Sequence, residues 1–584
     1  MIAPHDASEI HMSGTRPDQA SPPPTADAHL SRDFVTVQGR FGPRQVHYRR
    51  GGRGPVVLLL HQSPQSSRDM EPLIEAWGAS WTLIAPDSPG YGWSEPLRKN
   101  RQPVSSASID DFALATLEFA DALGLGRFGI YGFHTGASIG MALAQLFPDR
   151  VAAVAGNGLV VLTDDERAAI LRDYLPPLVP RWDGGHLAWL WGRLREQVIF
   201  FPWHDRRAAT RMRFPVPPAD RLQAGLLEFL AAGDHYPVAY AAAFLDRAER
   251  RLPALTVPAL ITAAARDPLA NHLARIGARS SSVQIVAAPD PAAALEHARA
   301  HLCAHPGELP RARAPANQAA GPVAGQVAGE AAITSEYLGL PGGQIRALRV
   351  AARSGPGGQL LVLLHPVAGS ATVMLDLATT LAGWTHVLAV DLPGHGASDP
   401  PPPGLGALAG TVARLRAALA PLAAGSTITV LGVGSSAPVA LELARELPET
   451  RGVILLGPPD WSASDISDWR EQGLPPLQPV WSGGHLLEAW HLVRDGRLFS
   501  PWFRREPAGI RPGEPELDDV GIHREVSDLL RANGSWQALL RDTLGYRPGA
   551  ANGGEPPVTR LAEPPGNWAP VFARVPGRSR LSAS

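Results

Sequence analysis

Arg127-Phe128-Gly129-Ile130-Tyr131-Gly132-Phe133-His134-Thr135-Gly136-Ala137-Ser138-Ile139-Gly140-Met141 is the stretch that decides the fold. Phe128 to Phe133 is a short apolar run and reads as a buried strand. Ala137 to Phe147 reads as a helix that Pro148 closes. Between them Gly132 and Gly136 flank His134 by two residues on either side, which lets the chain turn sharply without a Cβ clash. Strand, tight turn and helix are the context of a nucleophile elbow, Gly-x-nucleophile-x-Gly. Here a histidine stands where a serine is expected. The turn tip lies over the helix N-terminus, where free N–H groups and the helix dipole favour negative charge.

The chain has 584 residues, enough for several domains, and 45% of them are hydrophobic. A net charge of −2 leaves no basic footprint for nucleic acid. Nearly all positive charge is arginine, with Lys99 the only lysine, which reads as coding bias. One cysteine, Cys303, allows neither an intrachain disulfide nor a thiolate metal cluster. Residues 1–31 are polar and Pro-rich, without the apolar run of a secretory signal. No window of about 18 uncharged apolar residues suggests a membrane span. A cytoplasmic protein is the default expectation, with a small-molecule substrate and no nucleic-acid or membrane partner.

The chain contains itself twice. Leu58-Leu59-Leu60-His61 is echoed by Val362-Leu363-Leu364-His365, and Asp87-Ser88-Pro89-Gly90-Tyr91-Gly92-Trp93-Ser94 by Asp391-Leu392-Pro393-Gly394-His395-Gly396-Ala397-Ser398. The elbow region returns as Gly432-Val433-Gly434-Ser435-Ser436. Trp182-Asp183-Gly184-Gly185-His186-Leu187 returns as Trp481-Ser482-Gly483-Gly484-His485-Leu486, and Pro202-Trp203 as Pro501-Trp502. The expected layout is an N-terminal tail at 1–31, a first unit at 32–305 with a helical cap at about 163–252, and a linker at 306–335. A second unit follows at 336–548, with its cap at about 460–546, and then an irregular tail at 549–584. Within the first unit, short apolar runs alternate with helical stretches. Val56–Leu60, Thr82–Ala85, Phe128–Phe133, Val151–Ala155, Ala259–Ala265 and Val283–Ala287 are the expected strands. That alternation predicts an α/β fold whose mostly parallel sheet is covered by helices on both faces.

His61-Gln62-Ser63-Pro64, the Asp87–Ser94 loop and the elbow together resemble the α/β-hydrolase superfamily, over both units. The cap pattern is similar to that of a hydrolase-like group with His-Thr-Gly at the elbow. The resemblance implies an oxyanion hole made by the backbone N–H groups of Gln62 and Thr135. It also implies an acid at Asp267, in Ala264-Ala265-Arg266-Asp267-Pro268. The loop where the family places its catalytic histidine reads Ala288-Pro289-Asp290-Pro291 and has none. His297, His301 and His305 lie further on, at helical spacing, and read as a packed or solvated face.

A neutral His134, oriented by Asp267, would act as base, nucleophile or hydrogen-bond donor. His61, Trp182, His186 and Trp203 are candidate substrate-pocket residues. In the second unit Gly434 at the tip has no side chain, so that unit is read as truncated and noncatalytic, serving by packing on the first. No nucleotide-binding glycine fingerprint and no metal-ligand pattern appear, so no cofactor is expected. Three readings remain open. The first is a hydrolase of a small ester, thioester or activated carbonyl. The second is a catalytically inactive ligand- or partner-binding protein. The third is a cofactor-independent lyase on the same fold.

Overall fold

The computed structural model describes residues 30–311, 333–352, 359–424, 426–547 and 556–573. Nearly all of the expected N-terminal tail, most of the linker and part of the C-terminal tail lie outside these residues. The chain divides into two compact units. The first comprises Met1–Val179 and Trp189–Gly325, the second Pro180–Ala188 and Gln326–Ser584. The segment Pro180–Ala188, expected within the first unit's cap, therefore groups with the second.

The first unit is built on strands β1 (Ser31–Val37), β2 (Arg44–Gly51), β3 (Val56–Leu60), β4 (Thr82–Pro86), β5 (Phe128–Phe133), β6 (Val151–Asn157), β7 (Ala259–Ala264) and β8 (Val283–Ala288). They form one sheet in the order β1-β2-β4-β3-β5-β6-β7-β8. From β4 to β8 all pairings are parallel, and β1 and β2 add antiparallel at one edge. Every residue of β3, β5 and β6 is buried, as a sheet with both faces covered requires. The edge pair β1–β2 was not expected, because its charged residues obscure the apolar pattern. Helices Asp164–Asp173, Gly185–Gln197, Ala219–Ala232 and Tyr236–Leu245 intervene between β6 and β7.

The second unit repeats the plan with β9 (Ile333–Leu340), β10 (Gly343–Val350), β11 (Gln359–Leu364), β12 (His386–Val390), β13 (Thr427–Val433), β14 (Thr450–Leu456) and β15 (Val558–Leu561). Their order is β9-β10-β12-β11-β13-β14-β15, with no counterpart of β8 among the described residues. The tail expected to be irregular thus supplies a strand, parallel to β14, and a short helix at Ala569–Ala573. Trp568 and Phe572 bury themselves in the second core. A four-residue strand among prolines and glycines has too little periodicity to be read from sequence. Among the described residues, no helix is long and apolar enough to cross a membrane. The linker also starts later than position 306. The Glu308 N–H donates to the Arg127 carbonyl at 2.6 Å, and the Glu308 carbonyl accepts from the Val56 N–H at 2.9 Å.

A buried carboxylate ties the loops of each unit together. Asp87 follows β4 and accepts from the N–H groups of Ser67 and Trp93, each at 2.8 Å, and from the Ser67 hydroxyl. His47 Nδ1 lies 2.8 Å from it and an Arg49 guanidinium nitrogen 4.0 Å away. Burial works against the charge, but His47, Arg49 and Ser67 outweigh it and hold the carboxyl well below the usual range. In the second unit Asp391 does the same work, accepting from the N–H groups of Ala371 at 2.7 Å and Ala397 at 2.9 Å, with Arg346 at 3.3 Å.

A carboxyl depressed in the folded state contributes stability above its unfolded value of about 4, and loses it as pH falls further. Asp87→Asn is expected to destabilise the first unit by about 3 kcal/mol at pH 7. The gap between wild type and variant should narrow below about pH 4, checked by urea unfolding at both pH values.

Candidate active site in the first unit

The parallel register brings three loops to one end of the sheet. Leu60 pairs with Gly132, so Gln62 and His134 each stand two residues past that pair, at the ends of neighbouring strands. Asn157 at the end of β6 pairs with Thr262 of β7, which leads into the loop carrying Asp267. The carboxyl ends of parallel strands are where α/β sheets place their sites.

His134 is the residue between β5 and the helix Thr135–Leu146, with φ +48° and ψ −106°. That conformation is unfavourable for a residue with a Cβ, at a cost of about 1–3 kcal/mol. Two backbone hydrogen bonds hold it. The His134 N–H donates to the Asn157 carbonyl at 2.9 Å, and the His134 carbonyl accepts from the Ala137 N–H at 2.9 Å. The glycines act by closeness rather than by unusual dihedrals. A Cβ on Gly132 would overlap the Gly136 carbonyl, and one on Gly136 would overlap the Leu60 carbonyl. The helix start is thereby pressed against β3 and β5.

The imidazole is buried, 2% exposed, and packs on the Phe133 ring at 4.0 Å. Its Nε2 lies 2.9 Å from Asp267 Oδ2, and Asp267 Oδ1 accepts from the Leu269 N–H at 2.7 Å. The sequence-predicted pair is therefore in direct contact. An ionised carboxylate only accepts, so Nε2 carries the proton and Nδ1 the lone pair. Nδ1 is buried and has no hydrogen-bond partner among the described residues. Gly158, at φ +74°, leaves room for the ring, since a Cβ there would overlap imidazole atoms Cδ2 and Nε2.

His272 was not anticipated from the sequence. It lies five residues past Asp267, and its Nδ1 accepts from the Val161 N–H at 3.0 Å. Burial first, then the Arg275 charge, lowers it to about 4, with Asp267 and His134 among the groups that act on it. At neutral pH it is an uncharged neighbour of the pair. Its one sequence signal is its place in the acid loop.

The other candidates fall elsewhere. Both nitrogens of His61 are engaged: Nδ1–H donates to the Gln62 carbonyl at 2.8 Å and Nε2 accepts from the Ser88 N–H at 2.8 Å. His365 makes the same pair of bonds to Pro366 and Leu392. This histidine is a cross-tie between loops in both units rather than a pocket wall. His186 Nδ1 accepts from the Arg181 N–H at 3.1 Å, as His485 Nδ1 does from Val480 at 3.3 Å. Closing that turn explains why Gly-Gly-His-Leu persists in both copies. Trp182 is 69% exposed, and both it and His186 belong to the second compact unit. Trp203 does remain in the first unit's cap, buried, with its indole N–H on the Tyr174 carbonyl at 3.0 Å. Of the helical histidines, His301 is buried and its ring lies 5.2 Å from that of His305.

In the second unit Gly434 holds the tip position at φ +57°. Ser435 Oγ accepts from the Val367 N–H at 3.0 Å, and Ser436 Oγ donates to the Leu364 carbonyl at 3.1 Å, so both hydroxyls serve the turn.

Residues 55–289 match the family described as alpha/beta hydrolase fold, and residues 361–575 the alpha/beta hydrolase family. A 134-residue stretch is 35% identical to haloalkane dehalogenase 2 of Mycobacterium tuberculosis, covering 23% of this chain and 43% of that protein. A 130-residue stretch is 28% identical to (E)-2-((N-methylformamido)methylene)succinate hydrolase of Acinetobacter baylyi, covering 22% of this chain and 47% of that protein. The chain spans less than half the length of these curated relatives. Among solved structures, epoxide hydrolase A of Mycobacterium thermoresistibile aligns with a TM-score of 0.35 and 21% identity, over 44% of this chain and 91% of that one. Two successive matches, over two sheets of the same strand order, make this chain a tandem of two α/β-hydrolase-fold units.

Proposed function

We propose that the first unit hydrolyses a small ester, thioester or activated carbonyl compound, with His134 as the base and the elbow tip as the reacting centre. The observation that carries this reading is the tip itself. A histidine is kept in a strained backbone conformation, while the second copy has relaxed the same position to glycine. Its free Nδ1 lone pair and its Asp267 partner fit a base-plus-orienter pair. Hydrolases among the similar proteins support the reaction class.

In this mechanism Nδ1 takes a proton from water as the water oxygen bonds to the carbonyl carbon. The carbonyl π electrons move to oxygen, and the N–H groups of Gln62 and Thr135 receive that oxyanion. Asp267 steadies the imidazolium through Nε2–H. Collapse of the intermediate breaks the bond to the alkoxide or thiolate, which leaves with the proton from Nδ1. In this reading the second unit takes no part in the chemistry, since Gly434 at its tip offers no side-chain group.

An activated-ester panel tests the assignment. His134→Ala is expected to lower kcat/KM by about 10²–10⁴-fold, and Asp267→Asn by a smaller factor. Equal rates in all three proteins would refute the hydrolytic role of this site. His134→Gly should lose the same activity yet gain about 1 kcal/mol of stability in thermal unfolding, because the strain is released. Gly158→Ala should depress turnover nearly as far as His134→Ala although both members of the pair remain, since its Cβ displaces the imidazole from Asp267.

A further inference from the structure

The first unit's cap buries a cation that makes no ion pair among the described residues. Arg193, on the helix Gly185–Gln197, is 2% exposed. Its guanidinium carbon lies 4.5 Å from the ring centre of Phe229, 5.2 Å from that of Trp203, 5.6 Å from Tyr236 and 5.7 Å from Tyr174. Rings can cover the faces of a guanidinium, but not its N–H edge. On that edge Nη1 donates to Gln197 Oε1 at 2.8 Å and Nη2 reaches the Tyr174 carbonyl only at 3.4 Å. Nε has no partner among the described residues, and neither has the Gln197 amide nitrogen. Two buried donors and a positive charge are thus left without an acceptor, which is costly unless a ligand supplies one.

The second unit is the internal control. Its cap follows the first at a constant offset, with Trp502 donating to the Gly473 carbonyl at 3.4 Å as Trp203 donates to Tyr174. At that offset Arg193 is replaced by Leu492, Gln197 by Gly496 and Tyr174 by Gly473. The cap therefore forms without the guanidinium, and the copy that lacks it also lacks the tip histidine. In the first unit the cage adjoins the oxyanion loop. The Tyr236 carbonyl accepts from the Tyr91 hydroxyl at 2.7 Å, which lies 3.0 Å from the Ser63 hydroxyl, beside Gln62.

We infer that Arg193 and Gln197 bind a carboxylate carried by the substrate of the first unit. This rests on the hydrolytic reading for what happens at the other end of the substrate. The Nε–Nη2 edge is a planar fork that matches a carboxylate's two oxygens, and the Gln197 amide adds a third donor.

Thermal unfolding of the full chain with succinate, succinamide or inorganic phosphate tests the site without requiring turnover. Succinate should raise the Tm of wild type and of His134→Ala alike. It should raise that of Arg193→Leu, the residue of the second unit, not at all, and succinamide should be inert. Arg193→Lys keeps the charge but not the fork and should lose most of the shift. It also serves if the leucine variant fails to fold. In turnover, wild type should prefer monomethyl succinate to dimethyl succinate by about tenfold or more in kcat/KM, and Arg193→Leu should abolish the preference through KM. No succinate shift in wild type, an equal shift with succinamide, a shift from phosphate in place of succinate, or a full shift in the Arg193 variants would each overturn the carboxylate site. If instead His134→Ala turns over esters like wild type while the succinate shift depends on Arg193, the hydrolytic reading falls and the binding site stands.

Discussion

The approach of the elbow helix to the sheet is the constraint from which the first unit's site follows. Gly132 and Gly136 let backbone meet backbone where any side chain would overlap a carbonyl. With the helix start pressed against β3 and β5, the connecting residue has one course open, and His134 takes it at positive φ. That course aims its N–H at Asn157 and sets its ring against Asp267. Fold and candidate chemistry are thus two results of one close contact. The second unit keeps the contact but in altered form, with Ser436 in place of Gly136 and bonded to the Leu364 carbonyl that a glycine would merely approach.

Duplication separates what the architecture needs from what it does not. The buried carboxylate after the fourth strand, the loop-tying histidine and the turn-closing histidine of the cap occur in both units with the same partners or close equivalents. These are structural. The tip histidine, the acid beside it and the caged guanidinium occur in the first unit only. What a copy loses while keeping its fold is, by that fact, not required for the fold.

The sheet was legible because fully buried parallel strands read as unbroken apolar runs, and Val56–Leu60 and Phe128–Phe133 are bounded as expected. The His134–Asp267 pair was legible because both positions end such runs. The cap was not legible in detail. Tyr174, Arg193, Trp203, Phe229 and Tyr236 are scattered over some sixty residues and meet only through helix packing, so no local spacing announces them. His61 and His186 misled for a related reason. A histidine that recurs beside a motif looks chemical, whereas here His61 spends both ring nitrogens on loop backbone and His186 spends Nδ1 on the Arg181 N–H and Nε2 on His523. The strand Val558–Leu561 was hidden by its shortness.

That last strand also bears on the order in which the molecule assembles. β14 ends at Leu456, yet its outer neighbour β15 begins only at Val558. During synthesis the apolar edge of β14 stays unpaired until a further hundred or so residues have left the ribosome, and β6 of the first unit, which ends at Asn157 while β7 begins at Ala259, waits as long for its neighbour. Domains fold as units from the N-terminus, and unpaired strand edges are where nascent chains associate wrongly. Each unit therefore passes through a stage in which its cap is made while a strand edge stands open, and that edge is the place where a chaperone has most to protect.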